Sequence, residues 1–211
     1  MNLIGDKFVK GYFRIVEPIG GWLVSAGIHP NTVTWAGLVF TIYAAYLLSR
    51  GSFFWGGVML VVAGTCDVLD GMVARSTGQK SKFGAFFDST IDRYSDIFIF
   101  LGIAVFFNTL FIHILIIFTI TGTLLTSYTR ARAGALKIDC KVGMMQRPER
   151  VTYIAAAAIF DGIIGKLFSV EHFLVIAVIF FVAALSNLTV IQRVLHVKRE
   201  LEKKETEDNP I

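Results

Sequence analysis

Residues 67–92 read D-V-L-D-G-M-V-A-R-S-T-G-Q-K-S-K-F-G-A-F-F-D-S-T-I-D, setting four carboxylates, Asp67, Asp70, Asp88 and Asp92, in an otherwise largely apolar chain. Ionised side chains are costly near a bilayer and mark a site or a pathway there. If the two flanking segments are helices, Asp67 and Asp70 share one face and Asp88 and Asp92 share another. The polar stretch 76–82 breaks the two helices and lets those faces meet. Four converging carboxylates repel one another unless a cation joins them. Carboxylate oxygens are the ligands that Mg²⁺, Mn²⁺ and Ca²⁺ prefer.

Outward from this stretch the chain reads as membrane protein. Of its 211 residues 55% are hydrophobic and 17% charged, and the mean hydropathy is +0.64. Apolar windows recur at 97–107, 110–125 and 173–185, and a helix needs roughly 20 such residues to cross the hydrocarbon core. Six spans are predicted within residues 31–195: 31–49, 54–73, 83–107, 110–130, 151–167 and 173–192. Asp67 and Asp70 close the second, and Asp88 and Asp92 open the third. The fold expected is therefore all-α: a single polytopic membrane domain over residues 1–211 with six transmembrane helices.

Residues 3–17 alternate bulky apolar and basic side chains, with Ile4, Phe8 and Ile15 on one face and Lys7, Lys10 and Arg14 on another. That pattern predicts an amphipathic helix lying at the membrane interface and stopping before Pro18. Pro30 suits a first helical turn, with Asn31 or Thr32 as the expected cap. Arg50-Gly51-Ser52 predicts a tight turn, and residues 131–150 the longest polar connection. The mixed charges of residues 196–211 predict a solvated helical tail. No short apolar core with a small-residue cleavage site opens the chain, so no removable signal peptide is expected. Cys66 and Cys140 form no ligand spacing.

Of the 20 Lys and Arg, all but Arg50 and Lys166 fall on the side of the termini if six helices cross. The positive-inside bias then puts both termini and the carboxylate cluster in the cytoplasm of a multi-pass cell-membrane protein.

Two divalent ions a few Å apart can clamp a diphosphate and stabilise its leaving oxygens. Gly71, Ala74, Gly78, Gly84 and Ala85 leave room for such a ligand, and Arg75 adds a fixed positive charge. Residues 67–92 fit D-x2-D-G-x2-A-R-x8-G-x3-D-x3-D at eight fixed positions: Asp67, Asp70, Gly71, Ala74, Arg75, Gly84, Asp88 and Asp92. This resembles the signature of the CDP-alcohol phosphotransferases, integral-membrane transferases of phospholipid biosynthesis.

The resemblance implies displacement of CMP from a CDP-lipid by an alcohol hydroxyl. It makes Asp67, Asp70, Asp88 and Asp92 metal ligands for Mg²⁺ or Mn²⁺, two ions in all, and Asp92 also the general base. It places Gly71, Arg75 and Gly84, with Asn31 and Thr34 as further contributors, at the CDP-lipid, and it implies a homodimer.

A second set of residues concerns the acceptor. S-Y-T-R-A-R-A at 127–133, R-P-E-R at 147–150 and I-Q-R-V-L at 191–195 resemble the inositol-phosphate-using branch of that family. That branch makes phosphatidylinositol phosphate or archaetidylinositol phosphate. Arg130, Arg132, Arg150 and Arg193 would hold the phosphate of inositol 1-phosphate, with Arg147 a lesser candidate. Arg130 stands where the resemblance leads one to expect lysine in bacterial members. Glycerol 3-phosphate is the alternative acceptor. A divalent-cation transporter is the alternative of another class, and Arg75 beside the carboxylates opposes it.

Three further polar residues have structural readings. His113 is expected to be packed or bonded within the helices. Asp96 is expected to support Arg93 or Asp92, and Asp161 to make a helix-end or interhelical bond.

Overall fold

The computed structural model describes residues 6–168 and 172–208, with side chains over 11–165 and 172–205. Among the described residues there are seven helices and no strand: α1 Asp6–Ser25, α2 Pro30–Ser49, α3 Phe53–Ser76, α4 Lys82–Phe107, α5 Leu110–Ala135, α6 Arg147–Phe168 and α7 Phe173–Asp208. By length and composition α2, α3, α5 and α7 can cross a membrane. α4 carries Asp92, Arg93 and Asp96 in its interior, which keeps it out of that group.

α2 packs against α3 and α4, α3 against α6, and α7 against α5 and α6, while α1 lies on α3. Leu48, Phe53, Leu60, Phe100, Ile103, Ile154, Ile179 and Val182 fill the centre. Gly102 lets α4 approach the backbone of α2, where a methyl group would collide with Ala45. In membranes, where apolar burial gives little drive, such small-residue contacts hold helices together.

The helix ends follow local chemistry. At the N-terminus of α2 the cap is His29, whose Nδ1 accepts from the amide of Asn31 at 3.2 Å, so neither Asn31 nor Thr32 fills that role. Ser81 caps α4 through Gly84 N–H at 2.9 Å, and Asn108 ends it in the left-handed region at φ 42°. Gly51 turns the chain at φ +75°. His113 Nε2 donates to Ala104 O at 3.2 Å, as a helix-bonding histidine.

Two expected boundaries move. α1 runs through Pro18 to Ser25 rather than stopping before the proline. Contacts on both sides of Pro18 offset its missing hydrogen bond: Tyr12 Oη donates to Thr65 Oγ1 at 3.1 Å, Val16 is buried, and Gly20 faces Met72. Residues 3–5 of the expected interfacial helix, and the side chains of Lys7, Phe8 and Lys10, lie outside the described residues. The long polar connection shrinks to residues 136–146, because α5 continues to Ala135 and α6 starts at Arg147. Pro148 sits in the first turn of α6, where its lack of N–H costs nothing. Glu149 accepts there from Gln146 N–H at 2.6 Å.

Candidate active site

The site forms where α3 ends and α4 and α6 begin. Asp67 and Asp70 occupy the last turns of α3, and Asp88 and Asp92 the first turns of α4. Asp70 is buried and accepts from Thr34 Oγ1 at 2.6 Å, which ties α2 to the cluster. Asp67 and Asp88 both lie within electrostatic reach of Asp70, and Asp88 also faces Arg147 and Arg93. Asp92 stands 3.9 Å from Arg93.

Among the described residues no three carboxylates converge on one point as ion ligands. Arg147 takes the middle instead. Its guanidinium donates to Asp67, lies 3.0 Å from Asp92 Oδ1 and comes within 4.0 Å of Asp96. Like charges held apart by a guanidinium need not close further. The donor set nonetheless suits a hard divalent cation, consisting of carboxylate oxygens alone. Asp92 Oδ1 is buried and accepts no hydrogen bond, its ion pair with Arg147 at 3.0 Å aside, so its hydrogen-bonding capacity is not filled.

The residues expected around a diphosphate make two local contacts. Asn31 Oδ1 would lie 3.5 Å from a methyl group on Gly84, and Arg75 Nη1 would lie 3.2 Å from one on Gly71. Asn31 thus borders Gly84, and the Arg75 side chain folds back over Gly71. A side chain at either position would crowd these neighbours.

The arginines divide. Arg150 and Arg193 are buried, and Arg193 has Arg130 and Arg150 within electrostatic reach. The Arg132 side chain is exposed on the last turn of α5, where its carbonyl accepts from Leu136 N–H at 3.2 Å. Arg150 Nη2 donates to Asp96 at 3.0 Å, while its Nε and Nη1 have no partner. Arg193 donates from Nε to Val142 O at 2.9 Å and from Nη1 to Thr126 O. It therefore joins α7 to α5 and to the connection before α6.

Asp96 pairs with Arg150 rather than with Arg93, which instead donates to its own helix at Ser89 O. The reason is depth: Asp96 is buried beside the start of α6, whereas Arg93 turns back along α4. Arg147 as the partner of Asp67 and Asp92 is the feature that sequence reasoning missed. The available signal was the Arg147–Arg150 spacing, which puts both guanidiniums on one face of α6. Asp161 makes a helix-end bond, accepting from Leu174 N–H at 3.2 Å and Val175 N–H at 2.8 Å.

A family model described as CDP-alcohol phosphatidyltransferase matches residues 27–198. The archaetidylinositol phosphate synthase of Pyrococcus horikoshii is 38% identical over 193 residues, covering 89% of this chain and 93% of its own. The phosphatidylinositol phosphate synthase of Streptomyces avermitilis is 34% identical over 204 residues, covering 92% and 83% respectively. Among solved structures, the Mycobacterium tuberculosis phosphatidylinositol phosphate synthase with CDP-DAG bound aligns with a TM-score of 0.76 at 28% identity, covering 87% of this chain and 94% of that one. The same enzyme in complex with manganese and citrate aligns with a TM-score of 0.76 at 28% identity, over 86% and 88%.

Proposed function

This chain belongs to the CDP-alcohol phosphatidyltransferase family, and on that footing we propose that it transfers a diacyl or archaetidyl phosphatidyl group from a CDP-lipid to inositol 1-phosphate, releasing CMP. The observation that carries the choice of acceptor is Arg150. It is 3% exposed and bonded to Asp96, yet two of its nitrogens have no partner. A buried guanidinium with donors to spare, beside Arg193 and one turn from Arg147, is built to receive a second anion. The donor supplies a diphosphate near Asp67–Asp92; a phosphorylated acceptor supplies that second anion. The inositol phosphate synthases among its relatives support inositol 1-phosphate as its identity.

In this reading Asn31, Thr34, Gly71, Arg75 and Gly84 receive the CDP-lipid headgroup, and its tails stay in the bilayer. Arg130, Arg132, Arg150 and Arg193 orient the acceptor phosphate, Arg132 from the rim. Asp92 takes the proton of the acceptor hydroxyl, whose unaided pKa is too high for attack near neutrality. The hydroxyl oxygen then bonds to the lipid-bearing phosphorus, the bridging P–O bond breaks, and CMP departs. Asp67, Asp70, Asp88 and Asp92 hold two divalent ions, Mg²⁺ or Mn²⁺, whose charge stabilises the phosphoryl oxygens and the leaving group when bound. The site faces the cytoplasm from a six-span domain.

Purified protein incubated with CDP-lipid, Mg²⁺ and either labelled inositol 1-phosphate or labelled glycerol 3-phosphate tests the proposal. Label from inositol 1-phosphate should enter lipid as CMP appears. Incorporation from glycerol 3-phosphate alone would overturn the assigned acceptor while leaving the transfer chemistry standing.

A further inference from the structure

Arg147 occupies a position that phosphate recognition alone does not explain. Its guanidinium binds Asp67 and stands 3.0 Å from Asp92, two of the four carboxylates assigned above to divalent ions. Asp70 is held by a neutral hydroxyl, Thr34. The Arg147 Nε is buried and makes no hydrogen bond, with Asp96 Oδ1 no closer than 4.0 Å, so the ion pairs do not satisfy the whole side chain. Arg147 is also the first residue of α6. The segment before it is fastened to α7 at Val142, Met144 and Met145, leaving residue 146 as the link between that anchored segment and the helix.

A guanidinium and a divalent cation cannot both sit against the same carboxylate oxygens without mutual repulsion in a partly desolvated site. Resting on the ion-binding reading of the four aspartates, we propose that Arg147 is a built-in counter-cation that competes with the divalent ions for Asp67 and Asp92. It neutralises those carboxylates while they hold no ion and leaves them as they take one up. Ion affinity is therefore weak in the absence of donor. The diphosphate of a CDP-lipid adds negative charge, giving the released guanidinium a new partner, so ion and donor bind with positive coupling.

Mn²⁺ binding to detergent-solubilised protein, followed through the electron paramagnetic resonance signal of free Mn²⁺, tests this without turnover. Without donor, Arg147→Gln should bind Mn²⁺ about tenfold more tightly than wild type, as expected when one partly buried competing ion pair is removed. Arg147→Lys, which keeps a charge but loses the fork, should fall between them. In the wild type, saturating Mn²⁺ should lower hydrogen-exchange protection of residues 144–150, a readout that needs no variant. Equal or weaker Mn²⁺ binding by Arg147→Gln overturns the proposal, and so does unchanged protection in the wild type. If the wild type binds no Mn²⁺ even with CDP-lipid present, the ion-binding reading itself fails and takes this proposal with it. Mn²⁺ binding that ignores Arg147 removes the proposal alone.

Discussion

Asp92 has a buried carboxylate oxygen, Oδ1, that accepts no hydrogen bond, in a cluster where Asp70 is already engaged by Thr34. A base needs an oxygen that can take up the incoming proton, and Asp92 Oδ1 is held only by the Arg147 ion pair at 3.0 Å, without a hydrogen bond. Asp92→Asn should lower kcat by about 10²–10⁴, the usual worth of a positioned base, while most ligands to the ions and the donor stay in place. CDP-lipid binding lost in parallel with turnover would contradict that division of labour. Arg193 has a double attachment, to Val142 O and Thr126 O. Truncation takes the donor from Val142 O, at roughly 1–3 kcal/mol, while Thr126 O keeps its bond from Thr129 Oγ1. Arg193→Ala is therefore expected to lower Tm and to raise the acceptor KM; a lower Tm with unchanged KM makes it a framing residue only. The aspartates were legible in the sequence because charge in an apolar chain is conspicuous. The partnerships of Arg147 and Arg150 with Asp67 and Asp96 were not, since residues 80 and 54 positions apart meet only once α6 is packed on α3.

At the scale of elements, one face of α7 fastens the connection between α5 and α6. Thr189 Oγ1 accepts from Met144 N–H at 3.1 Å and Met145 N–H at 3.2 Å. Arg193 follows one turn later, His196 Nε2 donates to Asp139 O at 3.1 Å, and Lys204 reaches Lys137 O at 3.3 Å. A connection without regular structure needs partners for its backbone groups, and here α7 supplies them while fixing where Arg147 and Arg150 begin. Thr189→Val should destabilise by about 1–3 kcal/mol for each orphaned amide and raise the acceptor KM. Thr189→Ser should restore both Tm and KM, a rescue that loss of packing alone does not predict. Such roles are hard to read from sequence, because apolar windows mark where a helix meets lipid rather than where it ends. That is why α5, α6 and α7 all extend beyond their apolar spans. The tail of α7 behaves as its charge pattern suggested, with Lys203 pairing with Glu200 at 3.0 Å.

For the whole molecule, the two ends of the bundle count the crossing helices differently from hydropathy. Composition alone admits α2, α3, α5 and α7. If only those crossed, residues 110 and 141, at opposite ends of α5, would exchange sides. Yet Arg193 joins Thr126 and Val142, and Arg147 joins Asp67, so the C-terminal half of α5, the connection and the end of α3 share one end. At the other end the His172 ring lies 4.1 Å from Phe53 and 5.1 Å from Phe106, gathering the starts of α3 and α7 with the end of α4. α4, with 26 residues, is about 39 Å long at the helical rise, enough to run the full depth. α6 links the same two ends, from Arg147 to the Asp161 bonds with α7. We therefore expect six crossings, with α4 hydropathically weak because it carries the site's charges. By the positive-inside bias, the excess of Lys and Arg at the site's end is expected to put that end in the cytoplasm. Leu110 and Lys141 are exposed and lie at opposite ends, so cysteines placed there report both properties. In intact cells Leu110→Cys should react with a membrane-impermeant maleimide, and Lys141→Cys only after permeabilisation. The reverse pattern would mean either four crossings or an inverted bundle, and labelling at Arg50→Cys separates these. Position 50 stays outside with four crossings and moves inside if the bundle is inverted.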